Sequence, residues 1–264
     1  MIRPRARHTF CMATGFDKNK IVHSLVQNLQ QSSSAEGAWL GGSTATGFED
    51  DLSDTDIVII STNPDEIFQT VEDTLKGIAT ITHIWKVEES PWKNFAQKFY
   101  VLDQTSETYY LDIGVFQSLS SEDYAEHFNV ERHGSPQVLF DKKDILKQAS
   151  QQPRYESSKK IEWSQWIARF EILYRTFLKE SLRGKYIDSY TFYQRLVMMW
   201  VQLVRRHRTP QKHDFGLRYL YRDLPPAESQ YIEKLLQVPD LKSMQVAAAE
   251  LRSKIQTLQK DVSV

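Results

Sequence analysis

The stretch GGSTATGFEDDLSDTDIVII, residues 41–60, contains two polar motifs and one predicted strand. Gly41 and Gly42 follow a short apolar run, and glycines at such a point let the backbone approach a bulky anion. The hydroxyl of Ser43 can donate a hydrogen bond to a phosphate. Residues 57–60 form a continuous apolar run, which is typical of a buried strand. These features predict an anion-binding turn that is followed by a strand.

Two carboxylates stand at the start of this predicted strand. Asp54 and Asp56 flank Thr55, and residues two apart in a strand face the same side. Both carboxylates can therefore point at one spot, where two hard oxygen ligands suit Mg²⁺ with substrate phosphates completing its shell. An Asp-x-Asp pair alone is weak evidence of such a site, because aspartate also caps turns before strands.

A third acid lies in the apolar and aromatic run YYLDIGVF, residues 109–116. Asp112 is the only charged residue of this predicted strand, and burying an unpaired carboxylate is costly. A metal ion shared with Asp54 and Asp56 would account for it, since three carboxylates on adjacent strands can hold two ions. A buried ion pair with a lysine or an arginine is the alternative that the sequence leaves open.

The first part of the chain alternates helical and strand patterns. An amphipathic helix is predicted at residues 17–31, and strands rich in Ile, Val and aromatic residues at 78–87, 99–103 and 109–116. Such interleaving predicts a mixed sheet with flanking helices.

The pattern changes near residue 157, where long stripes of Trp, Tyr and Leu recur at helical spacing and predict a helical bundle. The polar stretch at residues 148–160 is the candidate boundary. The expected fold class is therefore α+β, with a mixed-sheet domain over residues 1–150 and a helical domain over residues 151–264.

Composition narrows the range of partners. The chain has 264 residues and a formal net charge of −1, which weighs against a long nucleic acid as partner because such binding rests on phosphate neutralisation. A single cysteine, Cys11, allows no internal disulfide and favours a reducing compartment. No apolar run approaches the roughly 20 residues of a membrane span. We therefore expect a cytoplasmic protein without a membrane partner.

Taken together, the glycine–serine pair, the Asp-x-Asp pair and the later acid resemble the signature of the DNA polymerase beta-like nucleotidyltransferase superfamily. The similarity is greater to its small-molecule branch, which includes the aminoglycoside and lincosamide nucleotidyltransferases that inactivate antibiotics. It is confined to these motifs, and the helical half agrees only in its type of domain.

The resemblance implies a magnesium-dependent, adenylyltransferase-like enzyme. Gly42 and Ser43 would bind the triphosphate of ATP. Asp54 and Asp56 would bind two Mg²⁺ ions, and Asp112 would be a third metal ligand or the base that acts on the acceptor hydroxyl. The implied reaction moves AMP from ATP to a hydroxyl of a small molecule, with an aminoglycoside-type antibiotic as one candidate acceptor.

One departure from the family pattern concerns positive charge. Many small bacterial members read Gly-Ser-x-Ala-Arg-Gly, and the arginine can serve the phosphates, but Thr46 occupies its place in this chain. Triphosphate binding then needs cations from elsewhere. Residues 205–222 of the helical half are rich in basic side chains, among which Lys212 and Arg218 are the candidate nucleotide-binding residues. This assignment predicts an active site in a cleft between the two domains.

Two other functions remain open at the level of sequence. Nucleotidyl transfer to a macromolecular acceptor would use the same motifs, and near-neutral charge does not exclude a local basic groove. A non-catalytic module, antitoxin-like or nucleotide-binding, would use the fold for interaction alone. Release of pyrophosphate separates the enzymatic functions from the non-catalytic one.

Overall fold

The computed structural model describes residues 17–90, 92–119, 129–149 and 162–262. The chain divides into two compact units, Met1–Tyr155 and Glu156–Val264, called below the sheet unit and the helical unit. Cys11 lies outside the described residues, as does almost all of the boundary predicted at residues 148–160.

The described part of the sheet unit contains six strands and five helices. The strands are β1 (Ala35–Leu40), β2 (Thr55–Ser61), β3 (Ile81–Lys86), β4 (Phe95–Leu102), β5 (Leu111–Phe116) and β6 (Gln137–Asp141). The helices are α1 (Lys18–Gln31), α2 (Gly42–Thr46), α3 (Pro64–Lys76), α4 (Val130–His133) and α5 (Ile145–Ala149).

Side-chain caps fix the starts of the two longer helices of this unit. The carboxylate of Asp17 accepts a hydrogen bond from the Asn19 backbone N–H at 2.9 Å. Asn63 caps α3 in the same way through the Glu66 N–H at 3.3 Å, and Pro64 occupies the first turn as the sequence predicts. Both caps satisfy N–H groups that have no partner inside the helix.

The six strands form one mixed sheet in the order β3-β4-β5-β2-β1-β6. Four of the five pairings are antiparallel, and β2 with β5 is the parallel one. These two strands lie at the centre of the sheet and are its most apolar, as expected for strands that are covered on both faces.

The two faces of the sheet are packed differently. On one face, Ile57 of β2 and Ile113 of β5 are fully buried in the main core, against residues of α1 and α3. On the other, Ile60 and Phe116 form a smaller cluster with Leu146 of the short helix α5. Because successive side chains of a strand alternate between faces, the even-numbered residues of β2 and β5 lie on this second face. It is the more open face of the sheet.

The described part of the helical unit contains three long α-helices and two shorter ones. They are α6 (Trp163–Leu182), α7 (Tyr186–Arg208), α8 (Leu220–Asp223), α9 (Pro226–Leu236) and α10 (Leu241–Val262), with a 3₁₀ turn at Pro210–Lys212. Aromatic and aliphatic side chains from all of these α-helices form one core, in which Phe170, Leu196 and Leu251 are fully buried. This unit has the helical character that the sequence predicts.

The structure confirms the α+β fold class: a mixed sheet with flanking helices, and a C-terminal helical region. Strand β6 and helix α2 are two elements that the sequence did not predict. Strand β6 is a short edge strand of five residues, in which Phe140 is the one buried side chain. No described helix has the length and apolarity that crossing a membrane requires.

Candidate active site

The turn after β1 brings the backbone into direct contact with Asp56. The Gly41 N–H donates to the Asp56 carbonyl oxygen at 3.0 Å, which continues the ladder between β1 and β2. Gly42 has a φ of +54°, and a Cβ atom there would lie 2.6 Å from Asp56 Cγ and nearer still to its carboxylate. Only glycine fits this position without displacing the carboxylate.

Ser43, the next residue, carries a hydroxyl oxygen that is buried and has no hydrogen-bond partner among the described residues. Buried polar groups in proteins are nearly always paired, and an unpaired one is typical of a site that a ligand completes. The Ser43 hydroxyl is therefore a candidate hydrogen-bond donor to a phosphate, in the turn for which the sequence predicts anion binding.

The sheet register places two of the three predicted carboxylates side by side. Asp56 of β2 and Asp112 of β5 are direct partners across the parallel pair, on the open face of the sheet. Neighbouring strands are about 4.8 Å apart, so the two side chains share one row. Asp54 precedes β2 by one residue and is close enough to Asp112 for its charge to affect that group.

Two residues for which the sequence predicted no role donate hydrogen bonds to the carboxylates of Asp112 and Asp54. The Gln97 side-chain amide donates to both oxygens of Asp112, at 2.7 and 2.9 Å. The Tyr110 hydroxyl donates to Asp54, and this bond raises the pKa of Tyr110 well above its usual value, with burial adding to the rise. Among the described residues, the hydrogen-bond partners of Asp112 are Gln97 and Asp56, and none of its partners is a lysine or an arginine.

The three carboxylates make the site strongly acidic. Burial raises the pKa of Asp112 to about 6; the Asp54 charge adds to the rise, and hydrogen bonds with Gln97 and Asp56 oppose it. Ionisation of Asp112 therefore lowers the stability of the folded protein. A bound cation would remove this cost, because an opposite charge favours the ionised carboxylates.

The donor set fits Mg²⁺, although the ligands do not converge on one point. Within the described ranges, no three carboxylate, imidazole or thiolate groups already form a metal site. Gln97 and Tyr110 donate hydrogen bonds to oxygens of Asp112 and Asp54 that a metal ion would also need. All the donors are hard oxygens, as Mg²⁺ requires, and metal binding at this site would have to displace such bonds.

Lys212 and Arg218, the predicted nucleotide-binding cations, lie in the helical unit and are both engaged. Lys212 Nζ lies 3.0 Å from a carboxylate oxygen of Asp223, whose other oxygen is 3.0 Å from the fully buried Arg205. The guanidinium of Arg218 is exposed, donates to the Tyr219 hydroxyl at 2.8 Å and lies 5.1 Å from the centre of its ring. Arg218 is thus the more accessible of the two.

Thr46, which stands in place of the family's arginine, has a structural part in the turn. Its hydroxyl lies 3.2 Å from the Gly42 carbonyl oxygen and 3.1 Å from that of Ser43, and it donates to them. The side chain therefore closes the short helix α2 and does not face a phosphate as a free donor.

Comparison with solved structures gives matches along most of the chain. A nucleotidyltransferase-like protein from Exiguobacterium sibiricum 255-15 matches with a TM-score of 0.43 and 15% identity, over 91% of this chain and 75% of that one. Spectinomycin adenyltransferase AAD(9) from Enterococcus faecialis, in a structure with ATP and spectinomycin, matches with a TM-score of 0.35 and 11% identity, over 91% of this chain and 100% of that one.

No family profile matches the chain, and no curated protein does.

The close approach of Gly42 to Asp56 gives a first test. Gly42→Ala is expected to lose more stability than Gly47→Ala, because both glycines have positive φ but only Gly42 would also overlap a carboxylate. Left-handed backbone costs a non-glycine residue about 1–2 kcal/mol, which both variants share. Urea unfolding of the two variants measures the difference, and equal losses would show that Asp56 does not occupy the space above Gly42.

The raised pKa of Asp112 gives a second test, in magnesium-free buffer. Its ordinary value is 3.8, so stability is lost as the pH rises from about 4 through 6 and the folded protein must hold the charge. Asp112→Asn removes that cost and is expected to stabilise the protein by up to about 3 kcal/mol at pH 8. The gain should shrink as the pH falls toward 4. A difference from wild type that does not change with pH, as measured by urea unfolding, would contradict this.

Proposed function

We propose that the protein is a nucleotidyltransferase that moves AMP from ATP to a hydroxyl group of a small molecule. The observation that supports this most is the row formed by the Gly42–Ser43 turn, Asp56 and Asp112. It sets an unpartnered buried hydroxyl beside two adjacent carboxylates on the open face of the sheet. Phosphoryl transfer requires a hydrogen-bond donor to the phosphates beside carboxylates that can hold metal ions, and this row provides both.

Residues at different positions in this row would have different roles. The Ser43 hydroxyl and the backbone at Gly42 would bind the triphosphate, since the hydroxyl is a hydrogen-bond donor without a partner among the described residues. Asp54, Asp56 and Asp112 would hold two Mg²⁺ ions. When bound, these ions would neutralise the triphosphate and favour ionisation of the acceptor hydroxyl.

If Asp112 is the base and not the third metal ligand, it would receive the proton of the acceptor hydroxyl. It lies on the far side of Asp56 from the turn, and with a pKa of about 6 it is ionised near neutral pH and still basic enough to accept a proton. The Gln97 amide would keep its carboxylate in one orientation. In this proposal Gln97 is a positioning residue, and Asp112 is either the base or the third metal ligand.

The missing family arginine must be replaced for the triphosphate to bind well. We propose Arg218 and Lys212 as the nucleotide-binding cations, because the helical unit presents them in a basic stretch while Thr46 is committed to its own turn. Lys212 would have to exchange its carboxylate partner Asp223 for a phosphate. Arg218 would have to give up its hydrogen bond to the Tyr219 hydroxyl, which carries no charge.

The proposal predicts ATP binding that depends on magnesium. Asp54→Ala combined with Asp56→Ala should abolish it, because the two carboxylates would hold the ions that carry the triphosphate. Isothermal titration calorimetry with and without Mg²⁺ measures this. Asp51→Ala is the matched control, since Asp51 is an exposed acid in the same stretch. Equal affinity for ATP with and without magnesium would contradict the proposal.

Turnover is followed in the same protein by release of pyrophosphate with a panel of small-molecule hydroxyl compounds, spectinomycin among them. Release that requires one of these compounds supports a small-molecule acceptor. Magnesium-dependent ATP binding without pyrophosphate release under any condition would instead favour the non-catalytic module.

Positive charge is tested separately. Arg218→Ala and Lys212→Ala should each weaken ATP binding by about 1–3 kcal/mol, the usual cost of losing a charge-assisted hydrogen bond. Arg183→Ala is the matched control, because Arg183 is an exposed arginine of the same unit that pairs with Glu180. Unchanged affinity in both test variants, measured by calorimetry, would remove these residues from the nucleotide site.

A further inference from the structure

An exposed aromatic strip runs from the edge of the sheet to the candidate active site. Trp85 of the edge strand β3 has 64% of its surface exposed and stacks on Phe99 of β4, with ring centres 4.9 Å apart and planes 17° apart. Phe99 in turn lies 5.9 Å from the ring of Tyr110, whose hydroxyl holds Asp54. A large indole left in solvent beside a cluster of polar functional groups is typical of a ligand surface.

The sheet register ties this strip to the carboxylates. Trp85 pairs with Phe99, Phe99 pairs with Asp112, and Asp112 pairs with Asp56, so the four side chains form one row across adjacent strands. At about 4.8 Å for each strand, the indole lies on the order of 10 Å from Asp112. The row therefore has the triphosphate turn at one end and an aromatic surface at the other.

This order matches the geometry of an in-line displacement. The attacking and leaving oxygens lie on opposite sides of the phosphorus atom in such a reaction. If pyrophosphate leaves on the side of the Gly42–Ser43 turn, the acceptor hydroxyl must approach from the side of β5, β4 and β3. The remainder of the acceptor then lies over Phe99 and Trp85.

We propose that Trp85, with Phe99 beneath it, binds a ring of the acceptor substrate. The inference rests on the proposed function and adds the class of acceptor. The acceptor is a hydroxyl compound that carries a sugar or an aromatic ring with an apolar face. This ring lies within about 10 Å of the reacting hydroxyl. Exposed aromatic faces bind such rings through apolar contact and ring stacking. Trp85 is a specificity-determining residue in this proposal, and it has no part in the chemical step.

The direct test uses protein labelled with 5-fluorotryptophan. The chain has six tryptophans, and the Trp85 signal in the ¹⁹F NMR spectrum is identified by its absence in Trp85→Phe. The probes are phenyl β-D-glucopyranoside as a ring-bearing hydroxyl compound, glycerol as a ringless one, and ATP with Mg²⁺. We expect a saturable shift of the Trp85 signal with the glucoside and none with glycerol.

A shift with ATP in place of the glucoside would assign the surface to the nucleotide base and overturn the proposal, as would the absence of any shift. A shift that follows protein concentration alone would make β3 an interface between copies and would also overturn it. Magnesium-independent ATP affinity together with a glucoside shift would leave the ring site standing and remove the proposed transfer reaction, so the two failures are distinguishable.

Variants give a second readout by ligand-observed NMR. Trp85→Ala should raise the dissociation constant of the glucoside about tenfold, equivalent to about 1.4 kcal/mol, while Trp85→Phe keeps an aromatic face and should lie near wild type. Ile84→Ala is the matched control, because Ile84 is the exposed neighbour in the same strand, pairs with Tyr100 and lies on the opposite face of the sheet. An equal loss of affinity in Ile84→Ala and Trp85→Ala would show a general effect on the strand and contradict the proposal.

Discussion

The parallel register between β2 and β5 places Asp56 beside Asp112, and the candidate site depends on this pairing. A slip of one residue in either strand would move its carboxylate to the face that packs against α1 and α3, where a charge has no solvent and no partner. The same pairing keeps Ile57 and Ile113 in the main core. The apolar side chains that stabilise the fold thus also fix the positions of the charged ones, and neither set can shift alone.

The site also holds several features that a stable fold would avoid. Gly42 has a left-handed backbone, the Ser43 hydroxyl is buried without a partner among the described residues, and burial raises the pKa of Asp112. The unpaired hydroxyl and the buried carboxylate each lower the stability of the ligand-free protein, and an anion at the turn or a cation between the carboxylates would relieve these two costs. Local strain of this kind persists where the surrounding structure is strong enough to impose it. The central strands β2 and β5, most of whose residues are buried, provide that support.

The sequence was informative wherever a residue's neighbours along the chain determine its environment. The spacing of Asp54 and Asp56 and the lone charge of Asp112 identified three residues that the fold brings near one another. The periodicity of the apolar residues identified the helical character of the C-terminal unit. The sequence did not predict a role for Gln97 or Trp85, because each lies near the site only through its partners on other strands. The register between strands cannot be read from neighbouring residues along the chain. The assigned roles of these residues in binding and catalysis stay predictions.

The cluster around Asp223 has a consequence for kinetics. Arg205, Lys212 and Arg222 all contact this one carboxylate, so three positive charges surround a single negative one although the chain as a whole is almost neutral. A local excess of this sign raises the rate at which any anion meets this surface, well before a specific contact forms. Dissolved salt screens the attraction beyond about 10 Å at 0.1 M ionic strength. The rate of encounter with a highly charged anion therefore depends on the salt concentration, which the near-zero net charge of the chain does not indicate.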